Sequence, residues 1–182
     1  MSAVPIKEEA MKNQTLKLPD PTVPLHDQPH DILLAMLLFG EARGQDNNCR
    51  LAVANIVRNR VLAGRYGGNT WPGVILQPKQ FSCFNPQDVN RPKLLKPLDW
   101  AKPEVWGECL DIAQTILYGT AHDNTKRSTH YHDKSMDFRP PFWAKVYTHT
   151  LDIGDLRFYR DPLAFKDDFP EHAGPVERMG ES

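Results

Sequence analysis

The run Ile32-Leu33-Leu34-Ala35-Met36-Leu37-Leu38-Phe39, closed by Gly40-Glu41-Ala42-Arg43-Gly44, decides how this chain must fold. Apolar side chains would cover most faces of a helix built on this run, so that helix belongs at the centre of a core and not on its surface. Pro29 suits its first turn, Asp27 or Asp31 can cap its free amides, and Gly40 and Gly44 are places for it to end. Glu41 then emerges at a groove floor or a buried junction. Desolvation disfavours the anion of a carboxyl group held there, which makes Glu41 a candidate proton donor. The plainer alternative is that Glu41 solvates or caps a helix end, as most charged residues near helix termini do.

At 182 residues, 40% of them hydrophobic and 25% charged, the chain is long enough for one core and too short for two substantial ones. A formal charge of -1 gives no electrostatic case for nucleic acid or an anionic membrane as partner. Cys49, Cys83 and Cys109 form an odd set without CxxC spacing. Neither a disulfide framework nor a cysteine zinc site is indicated, and all three read as reduced and mostly buried. Met1 to Gln14 lacks the basic stretch and apolar core of a secretory signal, and the longest apolar run is far short of the roughly 20 residues of a membrane helix. The expectation is a monomer made in the cytoplasm, without a membrane anchor.

Residues 1–28, interrupted by Pro5, Pro19, Pro21 and Pro24, read as a flexible or extended leader; folded structure is expected over 29–160 and a poorly ordered tail over 161–182. A second helix is predicted over 47–62, where Asn47 or Asn48 caps, Val53, Val57 and Val61 repeat at four-residue spacing, and Gly64 terminates. Arg50, Arg58 and Arg60 read as solvating its outer faces, and Asn59 as facing either solvent or a polar cleft. Residues 64–102, rich in Gly and Pro, form an irregular stretch that reads as one wall of a binding site. A third helix is predicted over 103–118, with Trp106, Cys109, Leu110, Ala113, Ile116 and Leu117 on one face and Gly119 beyond it. Residues 129–132, 145–151 and 156–159 then alternate as short strands, with Gly154 and Asp155 supplying a turn. The fold class is therefore α+β, a mainly helical core with a small antiparallel sheet.

Sugars are bound by aromatic faces and matched by amides and hydroxyls. The chain offers Phe81, Phe84, Tyr131, Phe142 and Trp143 with Gln80, Ser82 and Asn85, although the same rings could equally be core. Glycoside hydrolysis normally uses two carboxyls, and Asp46, Glu104, Glu108, Asp123, Asp133 and Asp137 are available as the second; none sits in a setting like that of Glu41. A one-carboxyl route needs no partner. Glu41 protonates the glycosidic oxygen and then, as carboxylate, helps the sugar's own hydroxyl close on the anomeric carbon, a step that gains from the tethered nucleophile. Competing metal chemistry would draw on His122, Asp123, His130, His132, Asp133 and His149, with His130 and His132 on one face of a strand but no HExxH or cysteine signature beside them. A zinc amidase using His130, His132 and His149, or a glycan-binding module without catalysis, are the alternative classes.

Leu34 to Val61, with Glu41-Ala42-Arg43-Gly44 followed by Leu51-Ala52-Val53-Ala54-Asn55-Ile56-Val57-Arg58-Asn59-Arg60-Val61, resembles the catalytic domain of the SleB/CwlJ family of cell wall hydrolases, known from spore cortex-lytic enzymes. Val74-Ile75-Leu76-Gln77, Gln80-Phe81-Ser82, Thr129-His130-Tyr131-His132, Pro141-Phe142-Trp143 and Ile153-Gly154 before Phe158-Tyr159 follow in the family's order. The resemblance implies a lysozyme-like fold similar to lytic transglycosylases and goose-type lysozymes, with Glu41 as the catalytic acid. It further implies that Gln80, Phe81, Ser82, Tyr131, His132 and Trp143 line a groove for peptidoglycan glycan strands, with no metal and no cofactor. Many relatives carry a second acid where this chain has Gln45, and a histidine where it has Leu156. Losing that acid favours the one-carboxyl route of a lytic transglycosylase acting between N-acetylmuramic acid and N-acetylglucosamine. Lacking a signal peptide, the chain also resembles phage or prophage endolysins, which accumulate inside the host and reach the wall through a separate membrane lesion.

Overall fold

The chain's fold, given by a computed structural model, is described over residues 16–165. Helix α1 spans His30–Ala42, α2 Asn47–Ala63, α3 Trp71–Ile75, α4 Arg91–Leu95 and α5 Pro103–Leu117; strands β1 His130–Asp133, β2 Thr148–Ile153 and β3 Leu156–Arg160 follow. From Ile32 to Phe39 no residue of α1 is more than 2% exposed. That all-round burial is what the apolar run dictates, and α1 packs against α5 and α2 as the centre of the core. Phe39 meets Trp106 of α5 edge to face, ring centroids 6.0 Å apart.

The ends of α1 differ from the sequence expectation. No side chain caps its first turn; Asp31 instead accepts hydrogen bonds from its neighbour's amide at Ile32 (3.0 Å), from Gln114 (3.1 Å) and from Lys17 (3.3 Å). Burial pushes the Asp31 carboxyl up, but these bonds and the Lys17 charge prevail and leave it below the ordinary carboxylate value. Nor does the helix stop at Gly40. A Cβ there would lie 2.7 Å from Cys83 Sγ, so this glycine admits a close approach of the loop around Cys83. In α2 the cap is Asp46, one residue ahead of the expected asparagines, accepting from the Cys49 amide at 2.8 Å; Gly64, at φ 67°, closes the helix in the left-handed conformation as expected.

The three strands form one antiparallel sheet in the order β1-β3-β2, with His130 opposite Tyr159 and Tyr131 opposite Phe158. The pairing of β2 with β3 shifts between His149 and Leu151. The irregular 64–102 stretch contains α3, α4 and two short 3-10 turns, Ser82–Phe84 and Pro97–Asp99.

Residues 1–15 and 166–182, the larger parts of the expected leader and tail, lie outside the described residues. Residues 16–28, expected as leader, turn at 21–23, form a 3-10 turn at Leu25–Asp27 and are pinned to the body: Leu16 packs against the core, the Lys17 carbonyl accepts from Trp106 Nε1 at 2.8 Å, and buried Gln28 donates to the carbonyls of Asp20 (2.6 Å) and Val23 (3.0 Å). At the other end, buried Asp161 accepts from the Tyr66 hydroxyl at 2.5 Å, and the Leu163 carbonyl accepts from Arg65 at 2.6 Å. All three cysteines are free and buried. Among the described residues no helix is long and apolar enough to cross a membrane.

Candidate active site

Helix α1 ends beneath Arg50. Its Nε donates to the Ala42 carbonyl (3.1 Å) and its Nη2 to that of Arg43 (2.7 Å), satisfying acceptors that a helix C-terminus leaves open; Nη1 bonds Asn47 (2.8 Å) and Glu108 (2.5 Å). Arg50 is therefore a buried clamp on the Glu41 turn, not a solvating side chain. Arg60 is likewise buried, at 5% exposure, and half-buried Arg58 donates to the Ala121 carbonyl at 2.7 Å. The expected solvating role of all three arginines fails because each finds backbone carbonyls within reach of its fork of donors. Asn59 resolves inward: its amide donates to Asp123 (3.0 Å), Thr125 (3.3 Å) and the Ser128 carbonyl (2.9 Å), fixing the segment that leads into β1.

Half-buried Glu41 accepts a hydrogen bond from the Tyr131 hydroxyl at 3.1 Å. The last turn of α1 thus meets β1 through the two residues that stand 90 apart in sequence. Burial, and then the charge and hydrogen bond of Glu41, raise Tyr131 well above the ordinary phenol value, so its hydroxyl stays a donor. The thiol of Cys83, pushed up by burial and then by Glu41, borders the same carboxyl. Arg60 completes the surround. Its Nε donates to the Thr129 carbonyl (2.6 Å), its Nη1 to Gln80 Oε1 (3.1 Å), and its guanidinium lies over the rings of Phe81 (5.3 Å) and Tyr66 (5.4 Å). Burial lowers the Arg60 pKa from its ordinary value, while the nearby phenols and Glu41 oppose that shift.

The other residues expected to line a groove are divided by the strand. Alternation along β1 sends Tyr131 to the side of Phe158, centroids 5.8 Å apart, and His132 to the opposite face. There His132 stacks on Tyr159 at 5.4 Å and tilts towards Trp143 at 5.9 Å, while Trp143 also touches His130 at 4.9 Å. Gln80 and Ser82 are exposed. Phe81, 3% exposed beneath Arg60, supports the wall and offers no face for a sugar to stack on.

Three of the four histidines considered for a metal are already engaged. His130 Nδ1 meets the Thr129 hydroxyl (3.0 Å), His132 meets the Asp133 carbonyl (2.9 Å) and the Tyr159 hydroxyl (3.2 Å), and His149 meets Asp152 (2.9 Å). Burial, then the Arg60 charge, holds His130 down at about 3. Among the described residues no three His, Cys, Asp or Glu side chains gather as a metal site.

Most carboxyls considered as partners for Glu41 are also occupied. Asp46 caps α2, Glu108 pairs with Arg50, Asp133 caps the turn Lys134–Met136, and Asp137 pairs with Arg157 at 3.3 Å. Asp123 accepts from Asn59, Thr125 and the Arg127 amide; Glu104 is exposed in the first turn of α5. Gln45 points its Oε1 towards Gly154 in the β2–β3 turn. Leu156 is buried opposite Asp133. Sequence reasoning missed Arg60, Tyr66 and Cys83 as neighbours of the site. One signal was present: Arg60 stands three and four residues after Val57 and Ile56, on the buried side of α2.

Two solved structures share this fold. The catalytic domain of the germination-specific lytic transglycosylase SleB from Bacillus anthracis superposes with a TM-score of 0.53 at 20% identity, covering 79% of this chain and 100% of that one. The catalytic domain of SleB from Bacillus cereus gives the same TM-score and identity over 78% of this chain and 95% of that one. No curated protein sequence matches the chain. The Cell Wall Hydrolase family matches residues 44–159, beginning just past Glu41 and taking in α2, the loop wall, α5 and the sheet up to Tyr159. With more than half of its length matched and the mainly helical core and three-stranded sheet in place, the chain belongs to the cell wall hydrolase family.

Proposed function

We propose that this cell wall hydrolase degrades peptidoglycan by cutting the glycan strand between N-acetylmuramic acid and N-acetylglucosamine, as a lytic transglycosylase with Glu41 as its one catalytic carboxyl. The observation that carries the reading is the Tyr131–Glu41 hydrogen bond at the end of a buried helix, with the considered partner acids engaged elsewhere or exposed. Protonated Glu41 gives its proton to the glycosidic oxygen as the bond to the anomeric carbon breaks. The carboxylate so formed then takes the proton of the muramic C6 hydroxyl while that oxygen closes on the anomeric carbon. The product is a 1,6-anhydro ring, and Glu41 ends protonated. No water is consumed. Tyr131 holds the carboxyl in one orientation for both transfers.

Mass spectrometry of digested peptidoglycan tests the reading. Anhydromuramic ends are expected; reducing muramic ends would replace the transglycosylase branch with muramidase hydrolysis, and intact stem peptides released from uncut strands would replace both with an amidase.

A further inference from the structure

We infer that Gln80 is a specificity residue, locked by Arg60 so that it offers the glycan only hydrogen-bond donors, and that it takes the carbonyl oxygen of a sugar 2-acetamido group. This rests on the glycan-cleaving function proposed above. A free glutamine side chain can turn its carboxamide either way and suits donors and acceptors alike. Here the choice is made by Arg60, because a guanidinium has no acceptor: the oxygen of Gln80 must face Nη1 at 3.1 Å, and the NH2 must face away. Arg60 cannot swing aside to release it. Its Nε is tied to the Thr129 carbonyl at 2.6 Å, the rings of Phe81 and Tyr66 lie at 5.3 and 5.4 Å, and the side chain is buried.

Gln80 itself is exposed, and no hydrogen bond takes up its amide nitrogen among the described residues. The lock sits beside the carboxyl: Arg60 also holds Thr129, two residues before the Tyr131 that bonds Glu41, and Cys83, three residues after Gln80, packs against Gly40 next to Glu41. A sugar hydroxyl can meet a donor or an acceptor, so it gains little from a fixed orientation. A carbonyl oxygen can only accept, and an ammonium, left when the acetyl group is removed, can only donate. A locked donor therefore selects N-acetylated over N-deacetylated sugars.

The test uses the full chain on glycan strands freed of stem peptides, either fully N-acetylated, chemically N-deacetylated, or deacetylated and re-acetylated. Wild type is expected to cut acetylated strands about tenfold or more faster than deacetylated ones, with re-acetylation restoring the rate. Gln80→Glu keeps an oxygen for Arg60 and turns a second oxygen, an acceptor, to the sugar. The preference should shrink to within about threefold or reverse, and Gln80→Ala, which presents neither, should fall between. An unchanged acetylated-to-deacetylated ratio in both variants, with the wild type active, would overturn the inference alone. A preference seen only when stem peptides are left on would also overturn it, by giving the donor to a peptide carbonyl. Wild type that cuts no strand of any kind would remove the proposed function, and this inference with it.

Discussion

At the scale of single residues, Glu41 and Tyr131 make separable predictions. Glu41→Gln keeps the shape and an acceptor for Tyr131 but cannot give up a proton, so strand cleavage should fall by about 10²–10⁴-fold in kcat with folding intact by circular dichroism. Tyr131→Phe leaves the acid and removes only what orients it; a loss of about tenfold in kcat with little change in KM is expected. A rise in KM alone would show that Tyr131 binds sugar and does not position the acid, and a kcat loss equal to that of Glu41→Gln would make its hydroxyl part of the chemical step itself. Glu41 was legible because an ionisable residue ending an apolar run has few places to go. Arg50 and Arg60 were not, because exposure is the usual fate of arginine and only the fold shows which carbonyls lie within reach. Gln80 was expected from sequence as a polar groove residue, but the orientation of its carboxamide depends on an arginine 20 positions away and could not be read there.

Elements carry the next predictions. Strand β1 has an alternation that sequence displays plainly, but nothing local says that it pairs with β3 or which of its faces meets Glu41. The structure turns Tyr131 towards it and buries His130 on the other side, near Arg60 and against Tyr66, Trp143 and Tyr147. That burial makes the strand a source of pH dependence. Unfolded, His130 binds a proton below about 6.5; folded, it stays neutral down to about 3. Between those values the unfolded state binds more protons, so stability is complete above the upper one and is lost as pH falls towards the lower. The slope should approach ~1.4 kcal/mol per pH unit. Asp31 and Asp123, both held below the ordinary carboxylate value in the fold, add a further loss only below about pH 4. Urea unfolding at pH 7, 6 and 5 should show the decline, and His130→Gln should flatten it. Helix α2 offers an independent check: Asp46→Ala removes its cap and should cost about 1 kcal/mol at any pH above the carboxylate range.

For the whole molecule, the question is where the folded domain begins. Composition places the start near residue 29, since proline-interrupted polar sequence reads as leader, and the Cell Wall Hydrolase family match begins later still, at 44. The core nevertheless extends to residue 16. Trp106 is fully buried in α5, and its indole N–H has its acceptor in the Lys17 carbonyl, while Leu16 covers apolar surface and Lys17 reaches Asp31 at the start of α1. Removing residues 1–15 leaves these contacts in place; removing 1–28 deletes them all and opens the α1–α5 face to water. Losing the indole's hydrogen bond and the covering apolar contact should cost about 2–4 kcal/mol. The shorter chain should then melt roughly 5–15 °C below the one starting at residue 16. Because the same face backs the helix that presents Glu41, its cleavage rate should decline at temperatures where the longer chain is still fully active. Equal melting temperatures for the two truncations would place the start of the domain at α1 and reduce the 16–28 segment to a surface appendage of no energetic consequence.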